Sequence, residues 1–371
     1  MIIRKFKFIS FIQIVCVFLS FVIIIYCSKE KTKYVLNEKP IWENKVDVII
    51  HKILTIGTDD FGNPEYLFGF ISDIAIDKEN NVFILDHVNF KVSKYNSNGV
   101  FIKNYGYGKG QGPGEFGSPA NLCVDNRGNV YVSDSSYRRI SIFDPMNIFI
   151  KSFRTEKNTI PLNDIAVFKN SILFVGISQL NFWNKELDGI FQMYSLPEGN
   201  YVGSMGRSDW LKKNWRILTG ADTICINKKN DGIVISHASP YEIEVFSKDS
   251  RLLRRFGRKT EFFHKVLSDP NNKKSPLSLS EGGSLCMTCL PDGKIVNVIR
   301  HTYPSLDIER FFDIFDMHGN YLITIPEKKF GVQGKYNLKI ESDSKGYIWL
   351  NFVEPYPHIA KFKIEFREKK S

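Results

Sequence analysis

Residues 101–153 read FIKNYGYGKGQGPGEFGSPANLCVDNRGNVYVSDSSYRRISIFDPMNIFIKSF. Short apolar runs, Phe101–Tyr105, Asn121–Val124, Asn129–Ser133, Arg138–Phe143 and Ile148–Phe153, alternate with polar punctuation. The punctuation is a glycine loop, Gly106–Gly117, then Asp125-Asn126-Arg127-Gly128, Asp134–Tyr137 and Asp144-Pro145-Met146-Asn147. Runs of this length, rich in β-branched and aromatic residues, suit strands and are too short for helices. Asx and Gly residues supply the positive φ that tight hairpin corners require. After the glycine loop the stretch therefore predicts four strands joined by tight turns.

The inner part of this pattern returns along the chain. Ile74-Ala75-Ile76-Asp77, Asn80-Asn81 and Val82–Asp86 form one copy; Leu122-Cys123-Val124-Asp125, Gly128-Asn129 and Val130–Asp134 form the next. A degenerate third is Ile165-Ala166-Val167, Asn170 and Ile172–Val175. The fourth runs from Ile224 through Asp231-Gly232 to His237, and the fifth from Met287 through Asp292-Gly293 to Val298. The sixth runs from Leu338 through Lys345-Gly346 to Asn351. Starts at 74, 122, 165, 224, 287 and 338 lie 48, 43, 59, 63 and 51 residues apart.

A period in this range with four strands per unit is the signature of a β-propeller, in which each sheet buries its faces against its neighbours. Six copies predict an all-β, six-bladed propeller. The sixth copy ends at its third strand, Ala360–Phe366, while the chain begins with a spare strand at Val46–Ile56. That N-terminal strand is expected to complete the last blade, closing the ring and removing an exposed edge. Two segments, Leu180–Arg216 and Gly257–Gly283, read as insertions.

The remaining composition bounds the setting. The chain has 371 residues, 43% of them hydrophobic, with a formal charge of +10. Arg4, Lys5 and Lys7 precede an apolar run, Phe8–Tyr26, which ends at Cys27 before a polar Ser28-Lys29-Glu30-Lys31. Residues 1–27 thus read as an export signal, 28–45 as a tether and 46–371 as the propeller. An apolar run ending in Cys resembles a bacterial lipoprotein signal, which implies lipidation at Cys27; Tyr26 departs from the small residue that pattern wants. The alternative is an uncleaved anchor, since the run is long enough to span a bilayer. Either way the folded part is expected outside the cytoplasm, membrane-anchored, in the periplasm or at the cell surface of a bacterium. Without the signal the charge is about +7 and dispersed, which reads as a solvated surface rather than a nucleic-acid site. Cys286-Met287-Thr288-Cys289 has redox or half-zinc-site spacing but no partner motif, so Cys123, Cys225, Cys286 and Cys289 are expected to be buried apolar filler rather than disulfides.

Gly110-Gln111-Gly112-Pro113-Gly114-Glu115-Phe116, then Val130-Tyr131-Val132-Ser133-Asp134 and Arg139-Ile140, resembles the repeat of NHL propellers. The likeness fades outside this blade. It implies an exported six-bladed propeller of a family that includes binding scaffolds and a few enzymes. Propeller sites gather at one channel mouth, where the loops after the second strands carry Asp86, His87, Asp134, His237, Arg300, His301 and His358. The resemblance to related lyases implies that His87, His237 and His301 could converge on zinc. Similarity to lactonase-like propellers implies calcium at Asp86, Asp134 and Asn351. Against this, Asp86 and Asp134 occupy a repeat position that suits a turn cap, and the histidines are out of register. No serine elbow, phosphate loop or H-E-x-x-H is present. The basic residues Lys212, Lys213, Arg216, Arg251, Arg254, Arg255, Arg258 and Lys259 read as charge guarding solvated edges. The reading is a membrane-tethered module that binds a protein or glycan partner, with no assigned cofactor. A metal-dependent lyase or lactone hydrolase is the alternative, and a small-molecule sensor a third.

Overall fold

The computed structural model describes residues 34–178, 189–209, 217–218, 221–260, 266–267, 278–303, 305, 307–331 and 339–369. The signal reading and Cys27 fall outside the described residues. Blade 1 comprises Ile71–Ile76, Val82–Asp86, Lys91–Tyr95 and Phe101–Tyr105; blade 2 comprises Pro119–Val124, Val130–Asp134, Arg139–Phe143 and Phe149–Arg154. Blade 3 is built from Ile165–Phe168, Ile172–Gly176, Phe191–Ser195 and Tyr201–Met205. Thr223–Asn227, Gly232–Ser236, Ile243–Phe246 and Leu252–Arg258 form blade 4; Gly282–Cys289, Ile295–Thr302, Ile308–Phe315 and Tyr321–Pro326 form blade 5. Each innermost strand touches the next in order, and that of blade 6 touches that of blade 1, so the sheets close a ring.

Blade 6 takes Ile340–Ser342, Ile348–Phe352 and His358–Glu368 from the C-terminus and Val46–Ile56 from the N-terminus. The closing pair runs antiparallel from Val46 against Glu368 to Ile56 against Ile359. Ile56 then packs with Tyr95, Trp349 and Ile359 in the apolar cluster between blades 6 and 1. The first and last blade strands of the propeller are thereby joined in one sheet.

The second strands Val82–Asp86, Val130–Asp134, Gly232–Ser236 and Ile348–Phe352 are buried at every position. A strand covered on both faces by neighbouring blades needs a continuous apolar run, which explains the lack of alternation there. The fourth strand of blade 2, Phe149–Arg154, is partly exposed along its length. A β-bulge breaks register between third and fourth strands in every blade, at Lys94/Tyr95, Phe149/Lys151, Met193/Tyr194, Val245/Phe246, Ile314/Phe315 and Lys52/Leu54. Bulges raise local twist, which a radially packed blade requires.

The hairpin corners repeat one hydrogen-bond scheme. Asp125 Oδ1 accepts the Arg127 and Asn129 amides at 2.9 Å, and Asp77 and Asp343 do the same in blades 1 and 6. Gly128 at φ 86° and Asn80 at φ 64° supply the left-handed residue. The glycine loop runs from blade 1 to blade 2. Arg139 holds it by donating to the carbonyls of Gln111, Gly112 and Glu115, and a Cβ at Gly106 would lie 2.3 Å from Phe116.

Three expectations need correction. Within the segment read as a tether, Tyr34–Asn37 forms a fifth strand on the outer edge of blade 4, next to Leu252–Arg258. The Asn37 side chain donates to the carbonyls of Gly257 and Gly319 and accepts the Tyr321 amide, joining blades 4 and 5. The insertion 180–216 is shorter than it looks, because Phe191–Ser195 and Tyr201–Met205 are the missing outer strands of blade 3. Ile217–Leu218 pairs in parallel with Ser278–Ser280, which also pairs Val266–Leu267, so the two irregular connections share a small sheet. Lastly, Cys225 and Cys289 form a disulfide between the innermost strands of blades 4 and 5, leaving Cys123 and Cys286 as buried thiols.

Candidate functional site

The ends of the second strands divide into two classes. In blade 1 the Asp86 carboxylate accepts the amides of Gly69, Phe70, Val88 and Asn89 and the Asn89 side chain. Asp134 in blade 2 accepts the amides of Gly117, Ser118, Ser136 and Tyr137. Both are fully buried, so their lone pairs are spent on holding two loops together. His87 follows with Nδ1 on the Pro119 carbonyl at 2.9 Å and its ring edge against Phe70. The His87 contact ties blade 1 to blade 2.

Blade 4 is different. His237, just after its second strand, places Nε2 2.9 Å from Glu244 Oε2 and Nδ1 4.0 Å from Asp222 Oδ1. Glu244 stands on the third strand, and Glu242 immediately precedes that strand. Arg255 of the fourth strand grips Glu242 with two bonds of 2.9 and 2.7 Å, while Arg207, arriving from blade 3, adds a third at 3.2 Å. His237, Glu242 and Glu244 are 5%, 6% and 0% exposed. Burial alone would depress the imidazole, but the hydrogen bond and charge of Glu244, with Asp222 and Glu242 behind it, raise His237 above its ordinary range. Burial raises Asp222 and Glu242.

The other candidates sit apart from this group. Arg300 donates to Thr302 Oγ1, and burial with the neighbouring Arg310 charge lowers its pKa. His301 lies against the Tyr303 ring, with centroids 4.2 Å apart. His358 stacks on Phe352 with Nδ1 2.8 Å from the Tyr356 carbonyl. Asn351 accepts the Lys339 amide and donates to the Ile71 carbonyl. Among the described residues, the single group of three donor side chains within metal-ligand reach is His237, Glu242 and Glu244; His87 and His301 do not join it.

The start of the channel is lined by Asp73, Asn121, Asp164, Asp222 and Lys339, one near the head of each innermost strand except that of blade 5. Asp73 accepts the Leu122 amide and Asp164 the Ile224 amide, each from the following blade. Lys339 Nζ lies 3.4 Å from Asp73 Oδ1. With the Asn121 amide nitrogen donating to Leu162 and Asn163 carbonyls, its oxygen lies 2.9 Å from the same Nζ. Burial outweighs Lys339 and raises the Asp164 carboxyl to about 7; burial and the Asp164 charge raise Glu341, further along, to about 8. This ring of polar groups stitches blades.

No family model and no curated protein matches the chain. Among solved structures, a DUF4221-family protein of Bacteroides vulgatus superposes at TM-score 0.65 and 10% identity, over 88% of this chain and 99% of its own. A Bacteroides fragilis protein described provisionally as exported gives TM-score 0.59 at 15% identity, over 91% and 99%. A Bacteroides thetaiotaomicron protein of unknown function gives 0.52 at 12%, over 86% and 77%. The chain thus shares its propeller fold with these Bacteroides proteins.

Proposed function

We propose that this chain is an exported, membrane-tethered propeller that binds a protein or glycan partner through the channel-mouth face of blades 3 to 5. One observation carries the reading. The second-strand corners of blades 1 and 2 are closed by saturated aspartates, whereas in blade 4 the corner holds His237 beside Glu242, which Arg207 reaches from a half-exposed position. The small sheet shared by the two irregular connections is built from segments on either side of this corner, so departure from the repeat is concentrated there. Export is supported by the apolar leader and by the Cys225–Cys289 bridge, which suits an oxidising compartment. Tethering rests on lipidation of Cys27, and the blade 2 motif supports kinship with NHL repeats.

Candidate surface polysaccharides and envelope proteins can be screened by thermal shift. A ligand is expected to raise the melting temperature of the wild type and of an Asn126→Lys control in a blade 2 turn, but not of Arg207→Glu. Equal loss in both variants, or in neither, would contradict the assignment. Intact mass is expected to show cleavage before Cys27 with added acyl mass; an intact Met1 terminus would establish the anchor instead.

A further inference from the structure

We propose that His237, Glu242 and Glu244 bind one divalent transition-metal ion of the zinc class. Their donor atoms lie within 4.8 Å of one another, close enough to converge on a single ion. They come from one hairpin: His237 follows the second strand, Glu242 precedes the third and Glu244 stands on it. The His237 amide donates to the Glu242 carbonyl at 2.9 Å, so the backbone itself fixes the spacing.

A second observation points into the group. Glu244 is completely buried, and its Oε1 has no hydrogen-bond partner; the Arg255 Nε atom is 3.9 Å away. A buried carboxylate oxygen left without a donor is costly, and a coordinated cation removes that cost. Glu242 Oε1 accepts from both Arg255 and Arg207, so Oε2, which Arg255 holds at 2.7 Å and Arg207 reaches only at 3.5 Å, is the oxygen left for coordination. Arg255 then takes the role that outer-sphere partners have in metal centres, fixing the orientation of a ligating carboxylate. Asp222 stands behind the imidazole at Nδ1, which leaves Nε2 as the ligating nitrogen.

The donor set selects the ion. One imidazole nitrogen with two carboxylates suits zinc or its first-row neighbours, whereas calcium asks for six or more oxygens. With Asp222, the three carboxylates face two arginines, so a neutral His237 leaves the cluster net negative. The natural competitor for the metal is a proton on His237. All three ligands are nearly inaccessible, so the ion is structural: it fastens the blade 4 corner rather than presenting an open position to substrate. This inference stands independently of the partner-binding reading.

The test is metal content of the full protein, purified without chelator, then stripped and reloaded separately with zinc, manganese and calcium. About one zinc per chain is expected, with a higher melting temperature in zinc than in calcium. His237→Asn and Glu244→Gln, if folded by circular dichroism, are expected to bring zinc to background. X-ray absorption on the wild type, which needs no variant to fold, is expected to show a nitrogen and oxygen shell with one imidazole. Absence of zinc binding at micromolar concentrations, stoichiometry unchanged in both variants, or a shell containing sulfur or several imidazoles would each overturn the site.

Discussion

Asp134 and Glu244 are both buried carboxylates in propeller blades, yet their surroundings differ. Asp134 answers four amides, so truncating it strands donors in the interior. Asp134→Ala is expected to lower stability by roughly 2–4 kcal/mol in urea denaturation, with no dependence on metal. The channel carboxyls give a pH signature. Asp164 and Glu341 rise to about 7 and about 8 because burial disfavours their charge. Between the ordinary carboxyl range near 4 and those values, the folded chain holds protons that the unfolded chain has released. Their contribution to stability is therefore full below about pH 4, falls as pH rises and levels off above about pH 8. Each group exchanges at most one proton, so each slope stays below about 1.4 kcal/mol per pH unit. Urea midpoints from pH 5 to 8 are expected to fall less steeply in Glu341→Gln than in wild type; parallel curves would show that Glu341 titrates normally.

The links between blades carry their own expectations. Cys225 and Cys289 join innermost strands across 64 residues of sequence. Replacing both with Ala is expected to cost about 2–4 kcal/mol, read from the urea midpoint under non-reducing conditions. Asn37 joins blades 4 and 5 through its side chain, and Asn37→Ala is expected to cost about 1–3 kcal/mol. Hydrogen exchange is expected to quicken first at Tyr321 and along Leu252–Arg258. The disulfide had a sequence signal. Both cysteines lie in the aligned inner-strand segments of consecutive copies, Ile224-Cys225-Ile226 and Met287-Thr288-Cys289, and neighbouring blades bring those segments together. Strand Tyr34–Asn37 had almost none, since four residues of a polar stretch gain their stability only from the edge they cover. The outer strands of blade 3 were masked by a weak inner copy, which made Phe191–Ser195 and Tyr201–Met205 look like part of an insertion.

Blade count and ring closure were legible because the inner hairpin pattern recurs six times, with the same aspartate corner in blades 1, 2 and 6, and because a missing fourth strand at one end matches a spare one at the other. The blade 4 cluster was only half legible. His237 stood out as one histidine among several. Glu242 and Glu244 were hidden, because Glu242-Ile243-Glu244-Val245 alternates like a strand with one solvated face. Only the ring, by packing blade 3 onto that face, turns those carboxylates inward. The same departure from the repeat supports the proposal that blades 3 to 5 carry the binding face, and that proposal can be tested in intact cells. A photo-crosslinking residue at position 207, beside Glu242, and another at position 126, in an exposed blade 2 turn, sample the two halves of the ring. A discrete crosslinked partner at 207 and none at 126 is the expected result; the same partner at both positions, or one only at 126, would contradict the account.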